Sequence, residues 1–136
     1  MGKQEDANIE VVKAFYAYVA RDDRDSAYAN LVAEDCILYE ADVLPYGGVY
    51  RGKKLMQETL RDIVGRFDEF EFELFNYLAG GEEEVVVHLE IRGVGKESRK
   101  PFKVPIMELW RIRDGKVVEL RPFLFDAAAL AEALAC

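Results

Sequence analysis

The chain has little cysteine, a single histidine, no long apolar run and no surplus of positive charge. Two cysteines in 136 residues cannot staple a disulfide framework. Cys36 sits within a predicted strand and Cys136 is the last residue, so no structural disulfide between them is expected. With His88 the only histidine, no cluster of His, Cys, Asp and Glu has metal-ligand spacing and no histidine-based nucleophile triad can be assembled. Gly47-Gly48 has no Lys-Ser or Lys-Thr after it and is not a phosphate loop. No metal or cofactor is therefore expected. The apolar runs are too short to span a bilayer, and the opening MGKQEDAN has no apolar signal core, so a cytoplasmic protein is expected. The net charge of -8 disfavours nucleic acid and anionic membrane surfaces as partners. Repeats, linkers and low-complexity tracts are absent, and the length fits one domain over residues 1–136.

What the chain does contain is best read from Phe102 to Phe125, FKVPIMELWRIRDGKVVELRPFLF. Asp114-Gly115 between two apolar runs is a hairpin signal. In the first run Phe102, Val104, Ile106, Glu108, Trp110 and Ile112 alternate onto one face, and Glu108 alone interrupts its apolar character. An acid on a core-facing stripe is costly unless it is paired, protonated or set in a pocket. Two readings stay open: a pocket acid, or a strand-end acid paired with Arg111, Arg121 or a second copy of the chain. Trp110 is either a cavity wall or core filler.

Apolar spacing at Ile9, Val12, Tyr16 and Val19 predicts a helix over about 5–21, then a polar break over 21–25 and a short helix over 26–32. CILYEAD, 36–42, reads as a strand and 44–52 as a loop. A third helix, 53–65, carries Leu55, Met56, Leu60, Ile63 and Val64 on its apolar side. Phe70, Phe72 and Leu74 alternate with glutamates in the next strand, followed by a Gly80-Gly81 turn. Val85, Val87, Leu89 and Ile91 face inward in the one after, with His88 on the opposite side, and a polar turn follows over 93–100. Asp126 caps an alanine-rich C-terminal helix. Helices grouped ahead of a run of strands predict an α+β fold, a curved antiparallel sheet wrapped around the helices with a central cavity.

The helix bearing Tyr16, the strand CILYEAD after Ala33-Glu34-Asp35, the loop LPYGGVYRG and the segment MELWRIRDGKVVELRPFLFD together resemble the nuclear transport factor two-like superfamily. This is the cystatin-like cone that includes ketosteroid isomerase and the SnoaL-like polyketide cyclases. The resemblance implies a catalytic set of Glu40 as base with Tyr16 and Glu108 around a developing oxyanion. Both acids are glutamate where ketosteroid isomerase has aspartate, and Tyr46-Gly47-Gly48 lengthens the loop. The expected ligand is a small apolar molecule touching Tyr46, Phe72, Trp110 and Leu120. The expected chemistry is isomerisation, cyclisation or dehydration by proton transfer; a binding or dimeric interaction module is the competing reading. If the two acids share a cavity, the retained proton is assigned to Glu108 and the charge to Glu40. Apolar residues on the odd face of the last strands, Met107, Leu109, Phe123 and Phe125, predict a homodimer through the outer sheet face.

Overall fold

Residues 2–135 are described by a computed structural model, and Cys136 and its pairing lie outside them. Helix α1 (Lys3–Ala20) buries Ile9, Val12, Phe15 and Tyr16, the face its spacing predicts. Helix α2 (Arg24–Leu31) begins two residues earlier than expected, because the Asp23 side chain accepts from the Ser26 amide and caps it there. Strand β1 (Val32–Glu40) starts before Cys36 and stops before Asp42. Strand β2 (Gly48–Arg51) lies inside the segment expected to be loop. Helix α3 (Lys53–Val64) follows, then β3 (Phe67–Gly80), β4 (Glu84–Gly95), β5 (Pro101–Arg113), β6 (Lys116–Leu124) and α4 (Ala127–Leu134). The β4–β5 turn is shorter than expected, since β4 runs through Gly95. At the β5–β6 hairpin, Asp114 and Gly115 have φ of 52° and 75°, the left-handed pair that a tight two-residue turn requires.

The six strands form one sheet in the order β2-β1-β6-β5-β4-β3. All neighbours are antiparallel except β1 and β6, which run parallel, so the expected all-antiparallel sheet is corrected at this one pair. Register shifts on β3 between Asp68 and Glu71 and between Leu74 and Asn76, and on β6 opposite Arg111/Ile112, insert extra residues that bend the sheet. Helices α1 to α3 lie on its concave side, making an α+β cone.

Alternation along β5 places Phe102, Val104, Ile106, Trp110 and Ile112 in the core, joined by Val85, Val87 and Leu89 of β4 and Val117 and Leu120 of β6. Asn8 is buried to the same degree, donating to the Glu82 carbonyl and accepting from Gln4, which ties α1 to the β3–β4 turn. Cys36 is buried with its Sγ 3.3 Å from Met56 Sδ, and burial pushes its thiol up to about 12, leaving it an inert core residue. No described helix is long and apolar enough to cross a membrane.

Helix α4 is held by close backbone approach. A Cβ at Gly95 would overlap the Ala133 carbonyl oxygen, and Ser98 Oγ donates to that same oxygen at 2.5 Å. Gly95→Ala is expected to lower stability by about 2–4 kcal/mol, since only backbone movement relieves the overlap. Urea denaturation monitored by circular dichroism measures this.

Candidate active site

Glu108 is the polar centre of the concave side. Alternation on β5 turns it inward between Ile106 and Trp110, and α1 crosses above it so that Tyr16 comes within reach. The Tyr16 hydroxyl hydrogen-bonds Glu108 Oε1, and the Trp110 indole N–H donates to the same oxygen at 3.2 Å. Arg111 and Arg121, considered as alternative partners for Glu108, are engaged elsewhere: Arg111 pairs with Glu83, Glu84 and Glu119, and Arg121 with Glu119. Glu108 thus matches the pocket-acid reading.

Around this centre lies a small cavity of about 120 Å³. Tyr16, Phe72, Trp110 and Leu120 line it with Glu108, so five of the seven sequence-derived site residues come together. The walls are aromatic: Phe15 and Tyr16 meet the Trp110 ring at centroid distances of 5.1 and 5.7 Å, and Tyr16 meets Phe72 at 5.6 Å. Two expected residues do not line it. Glu40, at the end of β1, borders a separate depression with Tyr39, Gly48, Arg121 and Pro122. Tyr46 lies beside Glu40 under the Arg66 guanidinium, its carbonyl accepting from the Tyr50 hydroxyl at 2.6 Å.

Glu40 is nevertheless electrostatically part of the site. Leu38 pairs with Leu120, and Leu120 with Trp110. Continuing that register two residues puts Glu40, Pro122 and Glu108 on one inward row, the two acids two strands apart, roughly 10 Å between backbones. Burial, and then the Glu108 charge, push the Glu40 carboxyl up to about 8. Burial also raises Glu108, but its two donors act in the opposite sense by favouring the carboxylate. The Glu40 side chain makes no hydrogen bond among the described residues. Burial is the largest influence on both acids; the donors on Glu108 and the effect of its charge on Glu40 favour the charge on Glu108 and the proton on Glu40, opposite to the assignment expected from the sequence. Burial first, and then Glu108, raise the Tyr16 phenol, so it stays a donor; burial and Glu108 also raise Tyr77.

Sequence reasoning missed Arg24, Tyr28, Phe15, Val19, Leu60 and Val64 in the lining. Tyr28 was discoverable as the apolar neighbour of Ala27 in α2. Arg24 was hidden inside a run of charges that reads as a polar break.

Two outcomes follow from these proton affinities. The unfolded Glu40 carboxyl ionises near the ordinary value of about 4.3, while the folded one stays neutral to about 8. Folding is thus penalised increasingly as pH rises between these values. Glu40→Gln is expected to leave stability unchanged near pH 4 and to raise it above pH 8, by on the order of 2–4 kcal/mol, in denaturant titrations at both pH values. Trp110→Phe removes one donor from the Glu108 carboxylate and should shift the Glu108 titration upward in carboxyl NMR.

No curated protein matches the chain significantly. Among solved structures, it superposes on a nuclear transport factor two-like protein from Burkholderia xenovorans with a TM-score of 0.83 and 26% identity, covering 98% of this chain and 100% of the other. A protein with a cystatin-like fold from Xanthomonas campestris gives a TM-score of 0.83 at 22% identity, with 95% and 98% covered. A protein with a ketosteroid isomerase-like fold from Catenulispora acidiphila, in complex with trimethylamine, gives 0.74 at 18% identity, with 91% and 92% covered. The SnoaL-like domain family matches residues 12–120, most of the chain, and the protein belongs to that family.

Proposed function

We propose that the cone takes up a small, largely apolar carbonyl compound and moves a proton on it by acid–base chemistry. The observation that carries this reading is a buried carboxyl, Glu108, held by two donors in an otherwise largely apolar cavity. Such a carboxylate is poorly solvated and is a stronger base than one in water. From a β,γ-unsaturated carbonyl compound it would take the proton on the carbon between the carbonyl and the C=C bond, forming a dienolate, and return it to the far carbon of that bond, which moves the double bond into conjugation with no net gain or loss of atoms; on a saturated ketone the same step gives only exchange at the carbon next to the carbonyl. Once protonated, Glu108 holds the Tyr16 hydroxyl less strongly, and that hydroxyl can turn to the enolate oxygen. Glu40, neutral on the same row, keeps a second negative charge away from Glu108. The base and the protonated acid of ketosteroid isomerase thus exchange roles in this chain.

A second reading is favoured by a specific observation. Tyr16 and Trp110 are both engaged with Glu108, and a volume of about 120 Å³ is below the usual range of ligand pockets, so the cavity can serve as a binding site without chemistry. Solvent deuterium incorporation separates the two. With cyclohexanone and acetophenone in D₂O, the wild type is expected to speed exchange at the carbon next to the carbonyl. Glu108→Gln should lose about a hundredfold or more of that acceleration, by NMR. Ligand binding with no exchange in the wild type would favour the binding-module reading.

We also propose that two copies pair through the outer face of the sheet. Met107, Phe123, Phe75 and Leu78 are 44, 55, 49 and 53% exposed there, and His88 stacks with Phe75 at a centroid distance of 5.0 Å. Ion pairs of Arg92 with Glu71, Glu73 and Glu90, and of Arg111 with Glu84 and Glu119, flank this apolar centre. An interface of this kind should bury well over about 1,000 Å². Sedimentation at micromolar concentration is expected to give a dimer, and Phe123→Glu a monomer.

A further inference from the structure

We infer that Arg24 and Tyr28 form a second polar pole of the cavity, one that selects an apolar ligand carrying a carboxylate. This inference rests on the proposal that the cavity binds a small molecule, and adds the chemical class of that molecule.

Arg24 is the only cationic residue in the lining. Its side chain is 32% exposed, which puts it at the mouth rather than the floor. Its single ion pair is loose, 3.8 Å to Asp22, whose own side chain is 98% exposed. A contact of that kind is screened by water and leaves most of the guanidinium donors unused.

Tyr28 supplies the second, independent observation. It lines the same cavity, is only 2% exposed, and its hydroxyl makes no hydrogen bond among the described residues. The hydroxyl oxygen itself is not sealed off from solvent, so its donor is free to meet a ligand oxygen at the cavity. Arg24 and Tyr28 stand four residues apart on α2 and so share one face of that helix, both in the lining; burial pushes the phenol up. The hydroxyl remains a donor at neutral pH. A guanidinium fork beside a hydroxyl donor matches a carboxylate, which accepts from both.

The other pole fixes the orientation of the ligand. Glu108 repels a second carboxylate, so the anionic end of a ligand is kept away from Tyr16 and Trp110. Phe15 lies between the poles, with its ring 5.5 Å from Tyr28 and 5.1 Å from Trp110. A ligand would thus place its carboxylate at Arg24 and Tyr28, its apolar body against Phe15, and its reacting portion toward Glu108.

The test compares benzoate with benzamide, alike in shape and differing in charge, by titration calorimetry. The wild type should bind benzoate at least about tenfold more tightly than benzamide, as a charge-assisted fork requires. Arg24→Gln should erase that preference and leave benzamide binding within about twofold, while Arg24→Lys, which keeps the charge, should retain part of it. Tyr28→Phe should weaken benzoate more than benzamide. Thermal unfolding of each variant shows that it is folded. If benzamide binds as well as benzoate, or the preference survives Arg24→Gln, the carboxylate assignment is overturned while the cavity reading stands. If neither probe binds the wild type, the cavity reading falls and this inference with it.

Discussion

An ionised carboxylate cannot sit on the buried face of a strand without donors, and the arrangement around Glu108 follows from that constraint. Its neighbour two positions along β5 supplies one donor, because Trp110 shares its face; α1 supplies the other through Tyr16. The hydrogen bond from Tyr16 fixes where α1 crosses the sheet, and the aromatic contacts of Phe15 and Tyr16 with Trp110 fill the crossing. Phase, crossing point and cavity wall are thus set by the same few groups. Loss of either donor would be felt as a packing change as well as an electrostatic one.

Two acids on one inward row divide their roles according to their neighbours. Glu108 has two donors and Glu40 has none among the described residues, so desolvation acts unopposed on Glu40. The chemical identity of the two residues is the same; the difference lies entirely in what the sheet and α1 place beside each.

Much of this was legible in the sequence wherever a local rule applied. Alternation along 102–112 identified both the core face and the acid that breaks it, and Asp114-Gly115 marked the hairpin. The spacing of Ile9, Val12 and Tyr16 aimed Tyr16 inward. What escaped depended on contacts between distant segments. Strand β2 is four residues beginning with glycine, and Val49 and Tyr50 are too short a run to declare a strand; it pairs because β1 offers an edge. The parallel β1–β6 pair has no local signature. Arg24 reads as one charge among several until α2 turns it toward the cavity mouth. The donors on Glu108 were hidden for the same reason: counting them requires knowing what crosses above the strand.

The parallel pair has a consequence for how the molecule assembles. Strands β3 to β6 form a meander of consecutive neighbours, each pairing across a short turn. Strand β1 joins at the far side of β6, where Val32 meets Val117, and α2 and α3 pack against it, whereas α1 packs against β3, β4 and β5. Closing that loop costs chain entropy that no short-range contact repays. The meander, by contrast, is closed by short turns, so its contacts are the local ones of the fold. Tyr16 and Glu108 are 92 positions apart, so the acid's environment is complete only when the two ends of the chain are brought together.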